Sequence, residues 1–133
     1  MTANEQAVAA VLAAYNTALN SSDTNQVMPL YADDGVFMAP YSPSAVGSAA
    51  VRKAYDSVFK AIKLTVKFDV VEVVELSPEW VFARTNSAGQ TLTHATGAVI
   101  AEGNQELFLF RKGRDGKFKI ARYSFSPTNP PKK

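Results

Sequence analysis

The apolar period of this 133-residue chain changes once, at Ile62. Upstream, Val51, Tyr55, Val58, Phe59 and Ile62 recur at helical spacing, and the stripe predicts a helix over about Ser48 to Ala61. Downstream, Leu64, Val66, Phe68 and Val70 alternate with Thr65, Lys67 and Asp69, the pattern of a strand with one wet face. After Val70 the phase slips by one residue, with Val71 and Val73 continuing the apolar positions. Such a slip predicts a bulge that bends the sheet. A chain that is helical before the switch and strand-rich after it must bury its helices on a sheet, which confines it to α+β architectures.

The helical half holds two further segments. Thr2 and Glu5 have the spacing of a capping box, and Val8, Val11, Leu12, Tyr15 and Leu19 share one face of the helix that follows. Ser22 or Asp23 can cap a short second helix from about Thr24, with Pro29 bending its last turn. That helix is expected to end in Tyr31-Ala32, where Asp33, Asp34 and Gly35 turn the chain out. Val36 to Ala39 then reads as a short strand stopped by Pro40.

In the strand half, Ser77-Pro78-Glu79 is a turn. Trp80 to about Thr93 is a strand, interrupted near Ser87-Ala88-Gly89, and Gly97 to Gly103 is a connection. Gln105 to Lys112 and Phe118 to Phe125 are strands joined at Gly113-Arg114-Asp115-Gly116. The expected fold is α+β: three N-terminal helices packed on one face of a curved antiparallel sheet, a cone whose open mouth can hold a ligand. Residues 1–126 make the single domain, and 127–133 a short Pro/Lys tail.

The chain has no cysteine, which excludes disulfides and thiol nucleophiles. No residues have metal-ligand spacing, and no cofactor is implied. No run approaches membrane-spanning length, and the first twenty residues lack the basic flank of a signal peptide, so a cytoplasmic protein without a membrane partner is expected. Charge is uneven. Glu5, Asp23, Asp33 and Asp34 precede the first base, Arg52, whereas Arg111, Lys112, Arg114, Lys117, Lys119 and Arg122 crowd the last hairpin. That hairpin reads as a solvated edge, and without interleaved aromatics it predicts no nucleic-acid partner.

Tyr31-Ala32-Asp33-Asp34, Pro40, Gly47, the helix to Tyr55, and Asp115-Gly116-Lys117-Phe118 before a last strand occur in an order that resembles the nuclear-transport-factor-like superfamily. Ala83-Arg84-Thr85-Asn86-Ser87, Asn104-Gln105-Glu106-Leu107-Phe108 and Tyr123-Ser124-Phe125 look like its small SnoaL-like, ketosteroid-isomerase-like members of the SgcJ/EcaC type. The chain is also similar to the association domain of calcium/calmodulin-dependent protein kinase II. The resemblance implies roles only where residues match. The isomerase's first-helix tyrosine, an oxyanion donor, is matched by Tyr15. Its base, an aspartate directly before the proline, is replaced by Ala39. Its protonated aspartate on the penultimate strand falls on Gln105 when the count runs back from Asp115-Gly116. Without a carboxylate at position 39, ketosteroid isomerisation by the usual route is not expected.

With Gln105 toward the mouth, alternation turns Leu107 and Leu109 inward, and by the same reasoning Phe82, Arg84, Asn86, Tyr123 and Phe125. Tyr15, Phe37, Tyr41, Tyr55 and Phe59 close the helical side. The expected site is an aromatic pocket with Arg84, Asn86 and Gln105 as its polar groups. Arg84 either grips an anionic, partly aromatic ligand or pairs with a protein acid. Tyr15 and Tyr55 also suit a core in which each hydroxyl finds a local acceptor. Three functions stay open: a small-molecule-binding protein or an isomerase, lyase or hydrolase using the cone; a non-catalytic association module; and a polyketide-type cyclase, which needs a pocket carboxylate or histidine. Leu107 to Phe110 are apolar on both faces of their strand, which predicts a homodimer through the sheet's outer face.

Overall fold

The computed structural model describes residues 1–129. Helix α1 spans Ala3–Asn20 and opens with the expected capping box: the Glu5 amide donates to Thr2 Oγ1 at 3.1 Å, and the Thr2 amide to Glu5 Oε1 at 2.9 Å. The second Glu5 oxygen accepts from the Glu75 amide at 2.9 Å, so the cap also ties the helix to the sheet. Val8, Leu12, Tyr15, Ala18 and Leu19 are its buried face. Asp23 caps the short α2, Thr24–Val27, and Pro29 tightens the following turn into a 3-10 segment, Met28–Leu30.

Strand β1 starts at once and runs Tyr31–Met38, so Tyr31-Ala32 belongs to a strand and not to the end of a helix. The partner decides this. β1 lies parallel to the last strand, which satisfies backbone groups that a helix end would have left open. The acidic turn survives as an irregularity between Tyr31 and Val36. A Cβ at Gly35 would lie 2.8 Å from the Tyr31 ring and 2.9 Å from the Ala32 carbonyl oxygen, so the irregularity needs glycine. β2, Ala45–Val46, precedes α3, Ser48–Ala61, whose buried residues are Val51 and Tyr55.

Four long strands follow: β3, Ile62–Ser77; β4, Trp80–Thr93; β5, Val99–Lys112; and β6, Phe118–Pro127. The sheet order is β2-β1-β6-β5-β4-β3. It is α+β with a mixed sheet, antiparallel except where β1 meets β6. The slip expected after Val70 is present between Val70 and Glu72. β4 is unbroken where an interruption was expected: Gly89 keeps its pairing at φ +156°, and a Cβ there would fall 2.0 Å from the Thr65 carbonyl oxygen. The ladder passes through a residue without a side chain, with its register unbroken on both sides. β5 absorbs most of the expected Gly97–Gly103 connection. Beyond β6 the chain stays on the sheet, with the Thr128 amide donating to the Gly103 carbonyl at 2.8 Å. Pro130, Pro131, Lys132 and Lys133 of the expected tail lie outside the described residues.

The free edge of β3 is held by α1. Asn16 receives the Phe68 amide at 3.0 Å and donates to the Val66 carbonyl at 2.9 Å. Asn20 receives the Val66 amide at 2.9 Å and donates to the same carbonyl at 2.8 Å. One helical turn apart, the two amides stand in for the missing neighbouring strand. The core between helices and sheet is aromatic: the rings of Tyr123 and Phe108 stack at 4.1 Å, and those of Phe37 and Tyr55 at 4.7 Å.

Candidate functional site

The concave face of the sheet and the ends of α1 and α3 enclose a cavity of about 290 Å³. Its aromatic wall contains Tyr15, Phe37, Tyr55, Tyr123 and Phe125, five of the residues expected there. Its polar wall is not the expected one. β4 and β5 present Thr85, Ser87 and Glu106 as buried residues, while Arg84, Asn86 and Gln105 are exposed. Phe82, Arg84 and Asn86 pair with Leu109, Leu107 and Gln105 on the convex side. Arg84 donates from Nε to Glu72 Oε1 at 3.0 Å, with its side chain 48% exposed. Of the two roles open to it, the structural pair is the one present, so Arg84 cannot anchor a ligand in this cavity. Tyr41 is 96% exposed at φ +59°, and Phe59 packs beside Tyr55 without lining the cavity.

The reason for the misplaced phase is steric. The inward residues of β4 are Val81, Ala83, Thr85 and Ser87, because a concave face carrying stacked rings leaves room only for small side chains. The bulky Phe82 and Arg84 therefore point out. On β5 both faces are apolar, and Phe108 and Phe110 take the inside.

Glu106 is the group that sequence reasoning turned the wrong way. It is 3% exposed, and its two carboxylate oxygens accept from Thr85 Oγ1 and Ser87 Oγ, each at 2.6 Å. Both are short for hydroxyl hydrogen bonds. Among the described residues no Lys, Arg or His lines the cavity. Burial raises the Glu106 pKa above its ordinary value, and the Ser87 and Thr85 hydroxyls hold it back only in part. Two and four residues before it, Asn104 and Glu102 also line the cavity. Asn104 Oδ1 is buried without a hydrogen-bond partner. A charged residue bracketed by two hydroxyl residues on the next strand was the available signal, but it reads equally well as a wet face.

Three tyrosines form a hydrogen-bonded chain beside this wall. Tyr55 Oη lies 2.6 Å from both Tyr15 Oη and Tyr31 Oη. Three hydroxyls carry three protons and the two bonds use two; when Tyr31 donates into the chain the remaining proton lies on Tyr15 or Tyr55, which line the cavity. Burial raises the pKa of all three phenols, so they act as donors and not as phenolates. The cavity thus offers one phenolic donor system and one buried carboxylate that can take up or release a proton. Ala39, directly before Pro40, lines it where the isomerase resemblance puts the base. Among the described residues no three His, Asp or Glu side chains come together as a metal set. No helix among them is long and apolar enough to cross a membrane.

The comparisons agree with this architecture. The family model of the SnoaL-like domain matches residues 12–123. A ketosteroid isomerase-like protein from Erwinia carotovora atroseptica is 37% identical, with a TM-score of 0.94 over 98% of this chain and 100% of that one. An uncharacterised protein with a cystatin-like fold from Caulobacter vibrioides shares the fold at 18% identity, TM-score 0.80, over 97% of this chain and 92% of its own. A protein provisionally named a calcium/calmodulin-dependent protein kinase II association domain, from Xanthomonas campestris, does so at 20% identity, TM-score 0.75, over 91% and 85%. No curated protein matches. The helices, the sheet and the cavity they enclose all fall largely within the matched span, and the chain belongs to the SnoaL-like domain family.

Proposed function

We propose that this protein binds a small, flat, largely apolar molecule in the cavity, with the polar end of that molecule on Glu106. The observation that carries the reading is Glu106 itself. A buried carboxylate held by neutral hydroxyls, with no cation among the described residues that line the cavity, costs stability, and such groups are characteristic of functional sites. The aromatic rings that line the cavity supply the apolar cover, and the Tyr15–Tyr55 pair supplies a donor for a ligand oxygen. Proton-transfer chemistry of the isomerase, lyase or cyclase kind would run through Glu106, because Ala39 cannot serve as a base. With Arg84 outside, the case for an anionic ligand is withdrawn. The test uses 2-naphthol as the probe, followed by its fluorescence. Saturable binding is expected, and Ala39→Phe, which fills the cavity from its lining, lowers the affinity at least about tenfold. Absence of saturable binding at millimolar probe, or binding indifferent to Ala39→Phe, overturns the reading.

A second reading, an association module, is favoured by one observation. Leu107, Val74 and Leu76 are large apolar residues exposed on the convex face, beside the partly covered Phe82 and Leu109. A homodimer through that face accommodates them and leaves the cavity open. A monomeric mass at micromolar concentration in analytical ultracentrifugation removes this reading without touching the first.

A further inference from the structure

Glu106 does not stand alone on the cavity wall, and its neighbours narrow what it can hold. In the β5–β6 register Glu106 lies directly opposite Phe125, and Asn104 opposite Pro127. Directly paired residues have Cβ atoms roughly 4.5–5.5 Å apart. A group bonded to the Glu106 carboxylate therefore sits beside the Phe125 ring. Two and four residues before Glu106, Asn104 and Glu102 line the same cavity, with the Asn104 amide nitrogen donating to Glu102 Oε2 at 3.4 Å. The β5 wall thus offers acceptors: the Glu106 carboxylate, which already takes two bonds and has lone pairs left, and the Glu102 carboxylate.

An alcohol could answer one of these acceptors but brings no charge to Glu106. A carboxylate or phosphate would be repelled by Glu106 and find no cation among the described residues that line the cavity. A protonated amine answers all three features at once. It neutralises Glu106, supplies several donors, and gains from the face of an adjacent ring. Building on the binding reading above, we propose that the occupant is a protonated amine carried on a flat aromatic body, its ammonium held by Glu106 beside Phe125. The rings of Tyr15, Phe37, Tyr55 and Tyr123 then receive the aromatic body.

The experiment compares three probes of one shape and different charge by titration calorimetry at neutral pH: tryptamine (cationic), tryptophol (neutral) and indole-3-acetate (anionic). Tryptamine is expected to bind about ten- to a hundredfold more tightly than tryptophol, the range of a charge-assisted hydrogen bond. Indole-3-acetate is expected to bind most weakly. Glu106→Gln should abolish the preference for tryptamine, bringing its affinity to that of tryptophol for the same variant. Equal affinity for tryptamine and tryptophol, or a preference that survives Glu106→Gln, overturns the amine assignment and leaves the binding reading standing. So does failure of all three probes where 2-naphthol binds. If 2-naphthol also fails, the binding reading falls, and this one with it.

Discussion

Replacing Glu106 by glutamine should make the protein more stable at neutral pH, and by an amount that depends on pH. The amide keeps the shape of the carboxylate. Thr85 can still donate to the one remaining oxygen, and the Ser87 hydroxyl can turn to accept from the new NH₂ group. Two charge-assisted bonds become two neutral ones, a loss of about 1 kcal/mol each. Against that, removing an unpaired charge from a site only 3% exposed relieves a penalty of several kcal/mol. The raised pKa shows that burial outweighs the two bonds, which leaves the amide ahead. The sign follows from the shift. Because the folded-state pKa lies above the unfolded one, the penalty is absent below the ordinary value of 4.5, grows as pH rises to the folded pKa, and is complete above it. Glu5 and Asp34 are shifted the opposite way, by the Glu75 and Thr2 amides and by Arg111, but equally in both proteins, so they cancel from the difference. Urea denaturation of both proteins at pH 4 and pH 8 measures it. The difference should be near zero at pH 4 and, at pH 8, appear as a higher urea midpoint for the variant. A variant less stable than the parent at pH 8, or a difference independent of pH, would refute the argument and make Glu106 a structural group.

Three further outcomes can be checked directly. The protein should not turn over a β,γ-unsaturated ketosteroid at a rate approaching a true isomerase, since loss of a general base alone removes a factor of about 10²–10⁴; a spectrophotometric assay comparing the parent with Ala39→Asp should find any gain in the variant. Asn16→Leu strips two bonds from the edge of β3 and should cost about 1–3 kcal/mol in urea denaturation, with ligand binding retained. Gly89→Ala places a methyl group 2.0 Å from the Thr65 carbonyl oxygen, and should cost more than about 3 kcal/mol or prevent soluble expression.

The architecture was legible because period and punctuation agree in this chain. The stripe from Val51 to Ile62, the alternation after Leu64 and the slip at Val70 each mark a physical boundary, and each lies where the structure has one. The aromatic half of the site followed from the same patterns, since large rings on helix faces have only one side to go to. The polar half did not. On β4 the phase is set by space, with Ala83 and Val81 inward because Phe82 does not fit. On β5 apolar residues fill both faces, so nothing in the alternation separates Gln105 from Glu106. The parallel pairing of β1 with β6 was hidden for a different reason: the contacts that hold Tyr31 to Met38 extended come from the other end of the chain.

The two asparagines of α1 also limit how this molecule can meet another. A sheet ordinarily grows at its rim, where unpaired amides and carbonyls template a further strand. Here one rim is the long β3, and its Val66 and Phe68 backbone groups are already engaged by Asn16 and Asn20. The other rim is β2, only two residues long. Lateral recruitment of a neighbouring chain is thus blocked along part of one side and starved of length on the other. The convex face remains the broad apolar surface through which two copies could meet. Cutting the Asn16 bonds would therefore do more than loosen a helix: it would expose a strand segment rich in Val and Phe to the kind of edge-to-edge stacking that ends in fibrils.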